Sequence, residues 1–207
     1  MSKNMKDNTI ISNVAKCKKT TDAIHHHRGK SSESLLDKNI ILKELNILPD
    51  QTILDAGCGN GYMAKEFSRL LNGTGKVYAL DPDKEAIEIL KKETKRTNIE
   101  PLVADMTKTT PIKSSSLDLI YVSTVFHGFP KDQIPNFQKE VERLLKPKAM
   151  LAILEIKKED TPFGPPSDVR YSPEELKQTI TLNPKATIKV GHYFYMQVFQ
   201  NRKQMPQ

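Results

Sequence analysis

The chain has 207 residues, a net charge of +7, two cysteines and no tryptophan, a length that suits one domain with a buried core. Residues 1–30 hold seven Lys/Arg against two Asp, so the positive excess sits mostly in a polar leader and no basic face for nucleic acid is indicated on the remainder. Cys17 and Cys58 stand in unrelated settings, which argues against a disulfide framework or a cysteine metal site. No apolar run reaches membrane-spanning length and the leader lacks a secretion-signal centre, so a reduced, cytoplasmic setting without membrane partners is the expectation.

Residues 1–30 read as a basic, mobile arm, residues 31–200 as the folded domain and residues 201–207 as a frayed tail. Within the arm, His25-His26-His27-Arg28 is either a solvated basic segment or a lid that reaches over a pocket. In an extended chain these histidines alternate sides, so no metal site is expected from them. Ser31-Ser32-Glu33 offers a helix cap, with Leu35, Leu36, Ile40, Leu42 and Leu45 on the packed face and an end near Asn46.

Thr52 to Leu71 reads strand, glycine turn, helix: Ile53-Leu54 end in Asp55-Ala56, then Gly57-Cys58-Gly59-Asn60-Gly61, then Met63, Phe67, Leu70 and Leu71 on one helical face. Glycines there let the backbone turn sharply and approach a ligand. A second strand, Val77 to Leu80, ends in Asp81, the position at which this architecture places an acid against a ribose. The glycines run G-x-G-x-G, and Tyr62 occupies the place of the third glycine of a dinucleotide loop. Asp55 before the loop would repel a pyrophosphate and suits a cationic group.

On these residues the stretch resembles motif I of the class I S-adenosylmethionine-dependent methyltransferases: an acid, any residue, then G-x-G-x-G. The resemblance implies S-adenosylmethionine as cofactor, with Asp55 near its methionyl ammonium end and the glycine loop beside its nucleoside. The implied cofactor-binding set is Asp55, Gly57, Cys58, Gly59, Asn60, Gly61, Tyr62, Asp81, Pro82, Asp105, Met106 and Ser123, with no metal.

Further along, Asp81-Pro82-Asp83 caps a helix with Ala86, Ile87, Leu90 and Thr94 inward. The third strand, Pro101 to Ala104, ends in Asp105-Met106. Asp105 is either a loop acid or, as the resemblance implies, an acceptor for the adenine amino group. Leu117 to Ser123 is the fourth strand, entered through a structural Asp118, and it runs out into Thr124-Val125-Phe126-His127. Because ligands bind beyond the C-terminal strand ends of open α/β sheets, His127 is the best-placed general base, or else a histidine that closes the pocket.

Lys131 to Lys146 is helical if Pro135 falls in the first turn, and Met150 to Ile156 is the fifth strand. Glu155 at its end is either solvent-facing or an acid-base partner of His127. The proline-rich stretch from Lys157 to Tyr171 reads as a stiff substrate-side wall, with Arg170 or Tyr171 pointing inward. Ser172-Pro173-Glu174-Glu175 is a capping box, and Ala186 to Val190 with His192 to Phe199 form a closing hairpin.

The expected fold is therefore α/β: a Rossmann-like, doubly wound, mostly parallel seven-stranded sheet with an antiparallel last strand and helices on both faces, built from four β-to-α units, a fifth strand and the hairpin. The proline-rich loop and Ser-Pro-Glu-Glu are also similar to small prokaryotic type 11 methyltransferases. The resemblance implies methyl transfer to a small-molecule acceptor through an O, S, N or C nucleophile. It carries no Asn/Asp-Pro-Pro-aromatic motif of the amide and base methylases, and too few cysteines for arsenite chemistry. A nucleotide-dependent oxidoreductase and a non-catalytic cofactor-binding scaffold are the alternatives, and the sequence leaves the oligomeric state open.

Overall fold

A computed structural model describes residues 35–202. The arm, with His25 to Arg28, the cap at Ser31 to Glu33 and the last five residues lie outside them.

Seven strands make one sheet. They are β1 (Thr52–Ala56), β2 (Lys76–Asp81), β3 (Ile99–Val103), β4 (Leu117–Ser123), β5 (Leu145–Ile156), β6 (Asn183–Lys189) and β7 (Phe194–Gln200), in the spatial order β3-β2-β1-β4-β5-β7-β6. The first five run parallel, and β7 lies antiparallel between β5 and β6. The order reverses between β1 and β4, the switch point at which ligands bind open sheets. The expected sheet is thus present, with one difference: β3 reaches β4 through residues 104–116 without a helix, so three strand-helix units precede β5 rather than four.

Helices α1 (Lys38–Leu45), α2 (Tyr62–Leu71) and α3 (Lys84–Glu93) bury Ile41, Leu45, Met63, Phe67, Leu71, Ile87 and Leu90 on one face of the sheet. On the other, α4 (Ile134–Leu144) and α5 (Pro173–Thr179) bury Phe137, Val141, Leu144 and Leu176. Strands buried on both faces read as continuous apolar runs for this reason.

Helix α1 starts later than the sequence suggests. Asp37 is its cap, accepting from the Ile40 N–H, and Asn46 closes it in the left-handed conformation. Leu35, expected inward, lies ahead of the helix and is 43% exposed, and Ile40 is 37% exposed, while Ile41 and Leu45 enter the core. Pro135 falls in the first turn of α4, and a 3-10 turn at Lys131–Gln133 precedes it. In β5 a register shift and a left-handed Lys148 (φ 62°) mark a bulge, after which regular pairing resumes at Met150. Asp118 accepts from the Thr52 N–H at 2.8 Å and pairs with Lys146, the structural role expected of it. Asn201, assigned by sequence to the tail, is buried, its side chain donating to the carbonyls of Leu145 and Lys146.

The proline-rich loop is held from inside. Arg170 is buried, and its guanidinium donates to the carbonyls of Pro165 (2.7 Å), Lys157 (3.0 Å), Glu159 (2.8 Å) and Phe163 (3.3 Å). It therefore braces the loop and does not point into the crevice. A segment rich in proline leaves carbonyls without backbone donors, and a five-donor fork satisfies several at once. We expect Arg170→Leu to lower unfolding free energy in urea by about 3–5 kcal/mol. A loss below about 1 kcal/mol would show the carbonyls to be satisfied by water instead.

Candidate functional site

The site is assembled where β1, β2, β4 and β5 end. Asp55, in β1, is buried, and its Oδ2 accepts the Ala64 N–H from the first turn of α2 at 3.0 Å. Burial, opposed by that hydrogen bond and assisted by the nearby charge of Asp81, pushes its carboxyl up to about 7. A carboxylate that is costly to ionise alone is suited to a cation that arrives with the ligand.

Between Asp55 and Asp81 the glycine loop folds back on β2. The N–H groups of Gly57 and Cys58 both donate to the Leu80 carbonyl, at 2.7 and 3.0 Å, and the Gly59 N–H donates to Asp81 Oδ2 at 2.9 Å. Asp81 Oδ1 accepts from Asp83 N–H at 2.8 Å, so two backbone donors fix that carboxylate. The three glycines have positive φ but different surroundings. A Cβ on Gly57 would come within 2.4 Å of Val125, and one on Gly61 within 2.5 Å of Leu90. A Cβ on Gly59 would meet no protein atom within 4 Å. Gly57 and Gly61 thus serve packing, whereas the space at Gly59, whose N–H is held by Asp81, is left open. That opening fits a nucleoside lying against the loop.

The other expected contacts divide. The Cys58 side chain is buried in the core, where burial pushes its thiol up, and Met106 packs with Leu54, Ala56 and Leu80. Asn60 is exposed and its Oδ1 accepts the Tyr62 N–H; Pro82 is exposed at the start of α3. Asp105 is engaged by its own turn through the Thr107 N–H and hydroxyl. Burial works to raise its carboxyl, but these bonds and Lys108 outweigh it and hold the group below its ordinary value.

Ser123 ends β4, and Thr124 follows in the left-handed conformation (φ 54°) with its N–H on the Leu154 carbonyl. For a β-branched residue this is a strained position held by its surroundings. It starts the 3-10 turn Phe126–Gly128 and brings His127 onto Glu155, with 2.8 Å between His127 Nδ1 and Glu155 Oε2. Glu155 is wholly buried and not solvent-facing. Val125 against Gly57 joins this turn to the glycine loop, so the histidine-glutamate pair and the two-acid cradle share one edge.

One neighbour of the site was not read from sequence. Tyr121 lies level with Asp55 on the adjacent strand, wholly buried, edge-on to Phe67 at 5.4 Å between ring centres. Its hydroxyl makes no hydrogen bond among the described residues, although Ser123 is beside it. Alternation along Leu119, Tyr121 and Ser123 puts it on the Asp55 face, and that pattern was visible in the sequence.

The fold and the acid-glycine loop of residues 35–202 are similar to those of class I S-adenosylmethionine-dependent methyltransferases. A family model described as a methyltransferase domain matches residues 53–148. A solved S-adenosylmethionine-dependent methyltransferase from Aquifex aeolicus superposes with a TM-score of 0.74 at 28% identity, covering 82% of this chain and 92% of that one. Demethylmenaquinone methyltransferase of Staphylococcus saprophyticus is 27% identical over 125 residues, 59% of this chain and 52% of the relative. The ubiquinone/menaquinone biosynthesis C-methyltransferase UbiE of Wigglesworthia glossinidia brevipalpis is 32% identical over 127 residues, 58% of this chain and 49% of the relative. The chain spans about half the length of these two relatives. Among the described residues, no helix is long and apolar enough to cross a membrane.

Proposed function

We propose that this domain moves the methyl group of S-adenosylmethionine to a small-molecule acceptor. The observation that carries the reading is the open space at Gly59 beside the doubly held Asp81, in the loop that the buried Asp55 of β1 leads into. In it Asp55 takes the ammonium end of the donor, Asp81 the ribose hydroxyls and Asp105 the adenine amino group. The loop from Gly57 through Cys58, Asn60 and Gly61 to Tyr62, with Pro82, Met106 and Ser123, completes the contact surface.

The reaction asks little of the protein beyond alignment and exclusion of water, since the sulfonium already activates the methyl group. One relative above is named for methylation of demethylmenaquinone and the other for C-methylation in ubiquinone/menaquinone biosynthesis, which supports a compact ring as acceptor.

Calorimetry on the full chain tests the reading. S-adenosylmethionine and S-adenosylhomocysteine are expected to bind with measurable heat and NADH to give none. No heat from either sulfur compound, with folded protein in the cell, would overturn it.

A further inference from the structure

Among the described residues, both carboxylate oxygens of Glu155 are engaged by His127. Its Oε1 accepts the backbone N–H of His127 at 3.2 Å and its Oε2 faces Nδ1 at 2.8 Å, while the carboxylate is fully buried and the imidazole retains 12% exposure. A carboxylate acceptor at that distance keeps the ring hydrogen on Nδ1, so Nε2 carries the free lone pair. The turn that presents the ring is fixed at three points: Thr124 N–H on Leu154, Gly128 N–H on Val125, and Phe126 packed among Phe129, Phe137 and Tyr171.

We propose that His127 is the catalytic base for the acceptor and Glu155 its positioning residue, and that the acceptor is therefore an aromatic hydroxyl compound, a phenol or hydroquinol. This rests on the methyl-transfer reading above. The choice of acceptor follows from proton affinities. A phenol ionises at about 10 and is almost wholly protonated at neutral pH, so it needs a hydrogen-bonded base to take its proton as it attacks. A thiol near 8.5 is already partly ionised at neutral pH and has little need of a buried ion-pair partner behind the base. Phe129 and Tyr171, both half-buried beside the turn, supply aromatic surface for such a ring.

The hydroxyl proton passes to Nε2, and the electron pair left on the phenolate attacks the methyl carbon through oxygen or through the ring carbon that shares the charge. The methyl-sulfur bond breaks with its pair on sulfur, giving neutral S-adenosylhomocysteine. Attack through carbon is completed by loss of the ring hydrogen from that carbon as a proton, and His127 returns its proton to solvent.

The titratable groups packed around the pair are the phenols of Tyr171 and Tyr195, the latter donating to the Tyr171 carbonyl at 2.6 Å, with Glu174, Glu175 and Lys158 beyond them. Burial pushes both phenols up, with the Glu155 charge adding to it, so they stay neutral while the pair works.

Nitrogen-15 NMR tests the pair directly. In the neutral imidazole the His127 hydrogen is expected on Nδ1 in the native protein and on Nε2 in Glu155→Gln, whose amide donates to Nδ1. Turnover is followed as S-adenosylhomocysteine release with catechol and 1,4-naphthohydroquinone, against thiophenol and aniline. His127→Ala is expected to lower kcat at pH 7 by roughly 10²–10⁴-fold, with KM for the donor unchanged and recovery as pH approaches the phenol's own ionisation. A merely structural histidine would show no such recovery.

A native hydrogen on Nε2, a His127→Ala protein with native kcat, or no release from either hydroxyarene would each overturn the proposal. Because the NMR result needs no bound ligand, it stands apart from calorimetric failure, which would remove the methyl-transfer reading instead.

Discussion

Asp55→Asn is expected to make the ligand-free protein more stable at pH 8 while weakening its hold on S-adenosylmethionine. In the unfolded chain the carboxyl ionises near 3.8; in the fold, burial delays this to about 7. Between those values the folded state keeps a proton that the unfolded state has released. The stability associated with it is complete below 3.8, declines as pH rises to about 7 and is flat above. A displacement of that size corresponds to a penalty on the order of 2–4 kcal/mol at pH 8. Asparagine escapes it and still accepts the Ala64 N–H. Urea unfolding at pH 4 and pH 8 checks this: the variant should match the parent at the lower pH and exceed it at the higher. The donor's ammonium loses its charged partner, so affinity should fall roughly 10- to 100-fold. A stability difference independent of pH would mean that Asp55 ionises as freely as a surface acid.

What could be read in advance was local. The acid-glycine turn, the Ser172 capping box and the hairpin each rest on neighbouring residues, and each is present, the box with both of its reciprocal hydrogen bonds. Relations that depend on distant partners were not legible. Asp37 and the Ser31 region both suit a helix cap, and the difference comes from the Asp37 N–H bonding to Val190, more than 150 residues away. Glu155 at a strand end reads as readily outward as inward, because alternation gives its face but not what covers that face. Tyr195 on β7 and Tyr171 before α5 cover it. Arg170 reads in the sequence as an alternative to Tyr171 for lining the crevice, because the neighbouring carbonyls that claim it are unseen there.

The same distinction separates the three glycines, which the motif presents as equivalent. Gly59→Ala is expected to fold, at a cost of about 1–2 kcal/mol for a side chain at φ 51°, and to lose donor binding by more than about 100-fold, since its methyl group would stand in the space assigned to the nucleoside. Gly61→Ala is expected to do the reverse in kind. Its Cβ would press on Leu90 Cδ1 at 2.5 Å and Cδ2 at 2.8 Å, inside the core between α2 and α3. With φ at 75° added, the loss should be roughly 3–5 kcal/mol of stability, and whatever fraction folds should retain affinity for the donor. Thermal unfolding and calorimetry on the two variants separate the outcomes. If Gly59→Ala binds S-adenosylmethionine as tightly as the parent, the open space at Gly59 is not where the nucleoside rests, and the assignment of both acids falls with it.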